Sequence, residues 1–218
     1  MVIFPGKTNV SAVNRIKIPK MTLKNAIKLG ISFCIAGILL GCSNSKLGED
    51  YLDRQPHLKL EEFFNGDVKA WGIIQDRQGT VLSRFTAEIQ ASWNGSQGLL
   101  DEVFVYQESG KRQKRLWKIN KISEREYEGE ANDILGRATG KQFGNAVYWT
   151  YEMNIPFKGS EYKVKFEDWL WSMDEGIVFN RSYIKKFGFK VAEVTIFMQK
   201  QKSEEKVQEQ QARLRIAR

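Results

Sequence analysis

The chain has 218 residues, 42% hydrophobic and 12% aromatic, which suits one sizeable core and leaves a second full domain crowded. Its formal charge of +8 invites a nucleic-acid reading, but Lys7, Arg15, Lys17, Lys20, Lys24 and Lys28 all precede Cys42, with no acid among them. Setting those six aside leaves +2, which is no basic footprint, and nucleic acid is excluded as a partner.

In chain order, residues 1–20 carry Pro5 and Pro19 and no clear pattern, whereas a start at Met21 would give a signal segment of ordinary length. From Leu29 to Leu40 the residues are apolar or small, preceded by Lys24 and Lys28, the layout of a secretory signal. The run falls short of the roughly 20 apolar residues that span a bilayer. Its ending, Leu39-Leu40-Gly41-Cys42, resembles a bacterial lipobox, with residues 1–41 removed and Cys42 becoming the lipidated first residue. A plain signal or an uncleaved anchor are the alternatives. Acyl chains contribute about 0.8 kcal/mol per buried methylene, so such an anchor holds a protein on a membrane durably. Ser43, rather than Asp, follows the cysteine and favours the outer membrane, facing the periplasm. With Cys34 removed in the leader, the mature chain has no disulfide, and its core must hold it together.

Residues 42–57 read as a lipidated polar tether. Leu58 to Gly66 reads as a short helix or turn that plugs one end of the fold. Strand-like runs follow at about 67–77, 80–94, 98–107, 112–121, 126–133, 144–155, 160–172, 176–183 and 188–199, with no helix of crossover length between them. Tight turns are expected at Asp76-Arg-Gln-Gly79, Glu108-Ser-Gly110-Lys and Lys158-Gly159-Ser160. An open meander of this length would expose two edges, and closure removes them. The expected fold is therefore all-β: a single antiparallel, lipocalin-like (calycin-type) barrel of about 8–10 strands over residues 58–199. The stretch 200–218, rich in Gln, Glu, Lys and Arg, reads as a solvated helix or disordered tail.

Residues two apart on a strand share a face. Phe85, Ala87, Ile89, Ala91 and Trp93 make one inward face, and Val147, Trp149, Tyr151, Met153 and Ile155 another. Tyr127, Gly129 and Ala131 leave room for a neighbour or ligand. Charges fall on otherwise apolar faces: Glu102 between Leu100 and Phe104, Arg115 beside Trp117, Asp133 at the end of the Tyr127 face, and Asp168 between Phe166 and Leu170. The turn at Gly110 brings Glu102 and Arg115 alongside each other. One reading is a ligand headgroup site or a carboxylate pair for acid/base work; the other is a satisfied ion-pair network. Trp169 and Trp171 lie on the opposite face and are expected outside the barrel, touching a membrane or partner or covered by the tail.

The one histidine, His57, sits in the tether, so imidazole triads and multi-His metal sites have nothing to build on. The stretch Gly136-Arg-Ala-Thr-Gly140 lacks the helix that phosphate cradling needs. No catalytic residue, metal or cofactor is expected.

Several short motifs together resemble a family of bacterial lipoproteins known as domain of unknown function 3833. They are Phe63-Phe64-Asn-Gly66, Asp76-Arg77, Arg84-Phe85, Leu100-Asp-Glu102-Val-Phe104-Val-Tyr106, Arg115-Leu-Trp117 and Gly144-Asn-Ala146, then Phe166-Glu-Asp168-Trp169, Asn180-Arg181 and Lys186-Phe187-Gly188. The resemblance covers nearly all of residues 50–199. It implies a lipoprotein of the envelope and carries no activity, ligand or catalytic residue. Glu167 stands where relatives have an Asp, which keeps the charge.

The leading expectation is a non-enzymatic, lipid-anchored barrel that binds a small hydrophobic or amphipathic molecule, with Glu102, Arg115 and Asp168 at its headgroup. The second is an envelope assembly protein with a solid core and a partner at Trp169 and Trp171. The third is a hydrolase or transferase using Asp168 and Glu102.

Overall fold

The computed structural model describes residues 47–201 apart from Lys158. The leader, the start at Met21, Cys42 and the tail beyond Gln201 lie outside the described residues.

A single helical turn, α1 (Leu60–Phe63), precedes ten strands. They are β1 (Gly66–Asp76), β2 (Val81–Asn94), β3 (Gln97–Tyr106), β4 (Arg112–Lys121), β5 (Glu126–Ala131), β6 (Leu135–Phe143), β7 (Ala146–Phe157), β8 (Ser160–Asp174), β9 (Ile177–Lys186) and β10 (Phe189–Lys200). Each pairs antiparallel with the next, and β1 pairs with β10 over Val68↔Lys200 to Asp76↔Ala192, closing a barrel with no free edge. This is the expected all-β, lipocalin-like up-and-down class.

Ten strands form, within the expected 8–10, but only nine runs were placed along the chain, because β6 carries almost no hydrophobic alternation. Its inward positions are Ala138, Gly140 and Gln142, small or polar because Trp149 of β7 lies across them. A Cβ on Gly140 would come within 2.1 Å of the Trp149 ring, so only glycine fits. Trp149 fills the room expected beside Gly129 as well.

Hairpins of an up-and-down barrel alternate between its ends. The turns after β1, β3, β5, β7 and β9 form one end, here called the mouth; those after β2, β4, β6 and β8 form the base. Gly79, Gly110 and Gly159 take positive φ in the three expected turns, all at the mouth.

The α1 segment plugs the base. Leu58, Leu60, Phe63 and Phe64 are buried against the barrel core. Glu61 binds Lys121 of β4 and accepts a hydrogen bond from Tyr127 of β5 at 2.7 Å, while Lys200 of β10 donates to the Glu62 carbonyl at 2.6 Å. Burial opposes the Glu61 charge, but these two donors win and hold its pKa below the usual carboxylate range.

Residues 47–57 correct the tether expectation: they form a strap packed on the outer wall. A 3-10 turn (Glu49–Tyr51) sets the Tyr51 ring 5.5 Å from Trp169 and 6.5 Å from Trp171. The strap meets the β6–β7 hairpin, where Leu58 N donates to the Gly144 carbonyl at 2.9 Å.

The inward faces are apolar as the alternation requires, with Phe85, Ala87, Ile89, Val147, Trp149 and Tyr151 buried. The outward positions include exposed Lys69-facing Trp71, Glu88, Asp101, Lys118 and Lys165. A barrel that spans a bilayer has the inverse arrangement. Among the described residues no helix is long and apolar enough to cross a membrane.

Candidate functional site

The inward alternation carries four charged side chains into the barrel. On β3, Glu102 lies between Leu100 and Phe104, and the β3–β4 register places it directly opposite Arg115. Asp133 occupies the β5–β6 turn, at the mouth end of the same wall.

The expected proximity of Glu102 and Arg115 forms in the backbone register, but the guanidinium turns to Asp133. Arg115 Nε donates to Asp133 Oδ1 and Oδ2 at 2.9 Å each, and Nη2 to Oδ2 at 2.8 Å. This two-armed geometry is the strongest form of such a pair. Rings hold the guanidinium in place: its centre lies 5.6 Å from Phe104 and 6.0 Å from Trp117. Gln113 Nε2 adds a hydrogen bond to Asp133 Oδ2 at 3.3 Å.

Glu102 is thereby left without the guanidinium fork. It is 9% exposed, and burial pushes its carboxyl up to about 7; Arg115 pulls the other way, while Asp133 and Asp168 push with burial. Asp168 comes from β8, which lies five places from β3 in the ring of ten strands and so on the opposite wall. It is also 9% exposed, and its Oδ1 is buried with no hydrogen-bond partner. Burial pushes this carboxyl up to about 7 as well, against the pull of Ser182, Arg115 and Tyr151.

Tyr151 of β7 packs in the same layer. Its ring stacks on Phe166 at 4.9 Å and meets Trp117 edge-on at 5.5 Å. Burial, then the Asp168 charge, raises its hydroxyl well above the ordinary tyrosine value. On β9, Ser182 donates to Asn180 Oδ1 at 3.2 Å.

These groups line a cavity of about 1280 Å³, so the barrel is hollow. Leu60 and Phe64 form its floor, Trp117, Trp149 and Phe166 part of its wall, and Glu108, Lys111 and Lys186 part of its rim. At the rim, Glu108 accepts from Arg84 N and Nε at 2.9 Å each and from Ser83 Oγ at 3.0 Å, tying β2 to the β3–β4 turn. Three carboxyls thus stand in a largely apolar chamber with one guanidinium, which is bound to Asp133. Carboxyls held near 7 can accept as carboxylates or donate as acids. Among the described residues, no group of three or more His, Cys, Asp and Glu is placed to hold a metal ion.

The structure therefore brings Glu102, Arg115, Asp133 and Asp168 into one chamber. It places Trp169 and Trp171 elsewhere, on the outer wall, stacked on each other at 6.1 Å. Tyr51 of the strap lies against them, and Phe143 and Tyr148 complete that cluster at 6.2 and 5.0 Å from Trp169. His57 lies in the strap beside Gln55. Sequence reading named Asn180 only as part of a family motif and passed over Ser182, placing neither in the chamber. Their signal was available, since both alternate inward with Val178 and Ile184 on β9.

Residues 36–200 match the family described as Protein of unknown function (DUF3833), and the chain belongs to it. A search of curated proteins finds no match. Among solved structures, the chain is similar to the S-type phycobiliprotein lyase CPES from Guillardia theta, at 11% identity and a TM-score of 0.46, over 67% of this chain and 94% of the lyase.

Proposed function

We propose that this chain is a lipid-anchored protein of the bacterial envelope that holds a small hydrophobic or amphipathic molecule in its barrel, without catalysing a reaction. The carrying observation is the chamber itself: about 1280 Å³, mostly apolar in its wall, with a few convergent polar groups at mid-height. Its size is somewhat above the roughly 300–1,000 Å³ that is ordinary for ligand cavities. Each buried methylene of a ligand contributes about 0.8 kcal/mol, and the polar part is met by Glu102, Arg115 and Asp168. The hollow interior counts against the alternative of an assembly protein with a solid core.

The binding reading is tested by titrating the purified protein with N-phenyl-1-naphthylamine, a neutral fluorophore that brightens in apolar sites, beside native mass spectrometry of the protein from cells. Saturable brightening with one equivalent is expected. No brightening and no bound mass would sink the reading.

Anchoring is supported by the sequence Leu39-Leu40-Gly41-Cys42, and Ser43 favours the outer membrane with the domain facing the periplasm. Growth of a bacterial host with labelled palmitate should mark the protein, and Cys42→Ser should abolish the mark.

A second reading rests on the two carboxyls held near 7, values suited to general acid/base work. Hydrolase or transferase activity that disappears in folded Asp168→Asn would favour an enzyme over a binder.

A further inference from the structure

We propose that the molecule held in the chamber carries a primary ammonium group, presented by an alkyl or aryl body to Asp168 and Glu102. The inference rests on the ligand-binding reading above and names the chemistry of the polar end.

The first observation is where the buried cation is spent. Arg115 is the cation at mid-height in the chamber, the other lysines of its lining being at the rim, among the described residues. Both arms of its guanidinium lie on Asp133, which is held again by Gln113. A fatty-acid carboxylate would have to displace that two-armed partner, leaving a half-buried Asp133 without its cation. Such an exchange removes as much pairing as it creates.

The second observation is what lacks a partner. Asp168 lines the chamber, is 9% exposed, and its Oδ1 is buried with no hydrogen-bond donor. A carboxylate this deep is costly to leave without a cation of its own, and a ligand that brings one beside it offsets that cost. Glu102 stands on the opposite wall, so the chamber holds two carboxyls beyond the Arg115–Asp133 pair. An ammonium has three donors and no acceptor, which suits the Asp168 carboxyl with the Tyr151 hydroxyl of the neighbouring strand beside it, while Glu102 faces them across the chamber. The rings of Trp117, Tyr151 and Phe166 add faces that attract a desolvated cation. Toward the floor the lining turns apolar, with Leu60, Phe64 and Val147, and takes the body of the molecule.

The test compares decylamine, decanol and decanoate, which share a chain and differ in the polar end, by tryptophan fluorescence at about pH 8. Decylamine is expected to bind at least tenfold more tightly than decanol, and decanoate most weakly, a tenfold step being about 1.4 kcal/mol. Asp168→Asn should bring decylamine to the level of decanol and leave decanol itself unchanged. Asp133→Ala, which frees Arg115, should raise the decanoate affinity about tenfold, a gain that a damaged fold could not give. Equal affinities for the three probes, or decanoate binding tightest to the unaltered protein, would overturn the ammonium inference and leave ligand binding standing. Binding of none of the three would overturn both.

Discussion

The base and the middle of the barrel are built by the same alternation of inward side chains, yet one is filled and matched while the other is hollow and mismatched. At the base, Val68, Tyr127, Val147 and Val178 are the largest fully buried side chains, and α1 closes the space between them. The acid there, Glu61, has its own cation in Lys121 and its own hydroxyl in Tyr127. In the middle, Arg115 is bound to Asp133, Glu102 is left without a guanidinium, and Asp168 Oδ1 has no donor. The contrast is one of pairing: the acid at the base is matched within the chain, whereas those in the middle are left incomplete, which is what the proposed ligand site requires.

The largest expected effect lies at the base. Phe63→Ala removes a buried ring from the plug and should cost about 3–5 kcal/mol in urea denaturation. A cost under about 1 kcal/mol would show that the base is no better filled than the middle.

In the middle, Glu102→Gln and Asp168→Asn should stabilise the empty protein. The folded state holds these protons more tightly than the unfolded chain, so the contribution of each acid is complete below about pH 4 and is lost as pH rises through about 7. Each substitution should add about 3–4 kcal/mol at pH 8 and nearly nothing at pH 4. Urea titrations at the two pH values read the difference, and a loss at pH 8 would mean that the chain itself satisfies these carboxyls.

Glu61→Gln should show the opposite pH dependence at a smaller size, about 1–2 kcal/mol. Its folded pKa is depressed, so its contribution is present above the unfolded value near 4.5 and disappears as pH falls through the folded one. The destabilisation should therefore be seen at pH 7 and fade on acidification. A matching slope for Glu61 and Glu102 would erase the distinction between the two regions.

The smallest effect belongs to neither. Tyr51→Ala uncovers Trp169 on the outer wall, should cost about 1 kcal/mol, and should shift tryptophan emission to the red. An unchanged spectrum would place the strap elsewhere in solution.

Much of this was legible in the chain because β alternation is a local rule. The inward sets on β2, β3, β4, β7 and β8 follow from period two, as does the outward placement of Trp169 and Trp171. The strand β6 escaped because tertiary packing wrote its sequence: Gly140 is there for the Trp149 ring, not for strand propensity. The neighbouring of Glu102 and Arg115 follows from one hairpin. The choice of Asp133 as the partner for Arg115 depends on side-chain torsions and the reach of a guanidinium, which spacing does not encode. Closure set the rest: only when β1 meets β10 do β3 and β8 come to face each other and enclose a volume. The strap was read as a polar tether because its apolar content is low, but Tyr51 gives it a foothold on the wall and the β6–β7 hairpin a second one.

The β1 strand enters and the β10 strand leaves at the base, so both ends of the described chain emerge on the side away from the mouth. Attachment ahead of Leu47 or beyond Gln201 would leave the opening clear, and Trp117 and Trp149 already sit in the chamber wall. The barrel could thus be fixed to a chip or fused to another protein as an optical sensor, with no dye added and no wall rebuilt.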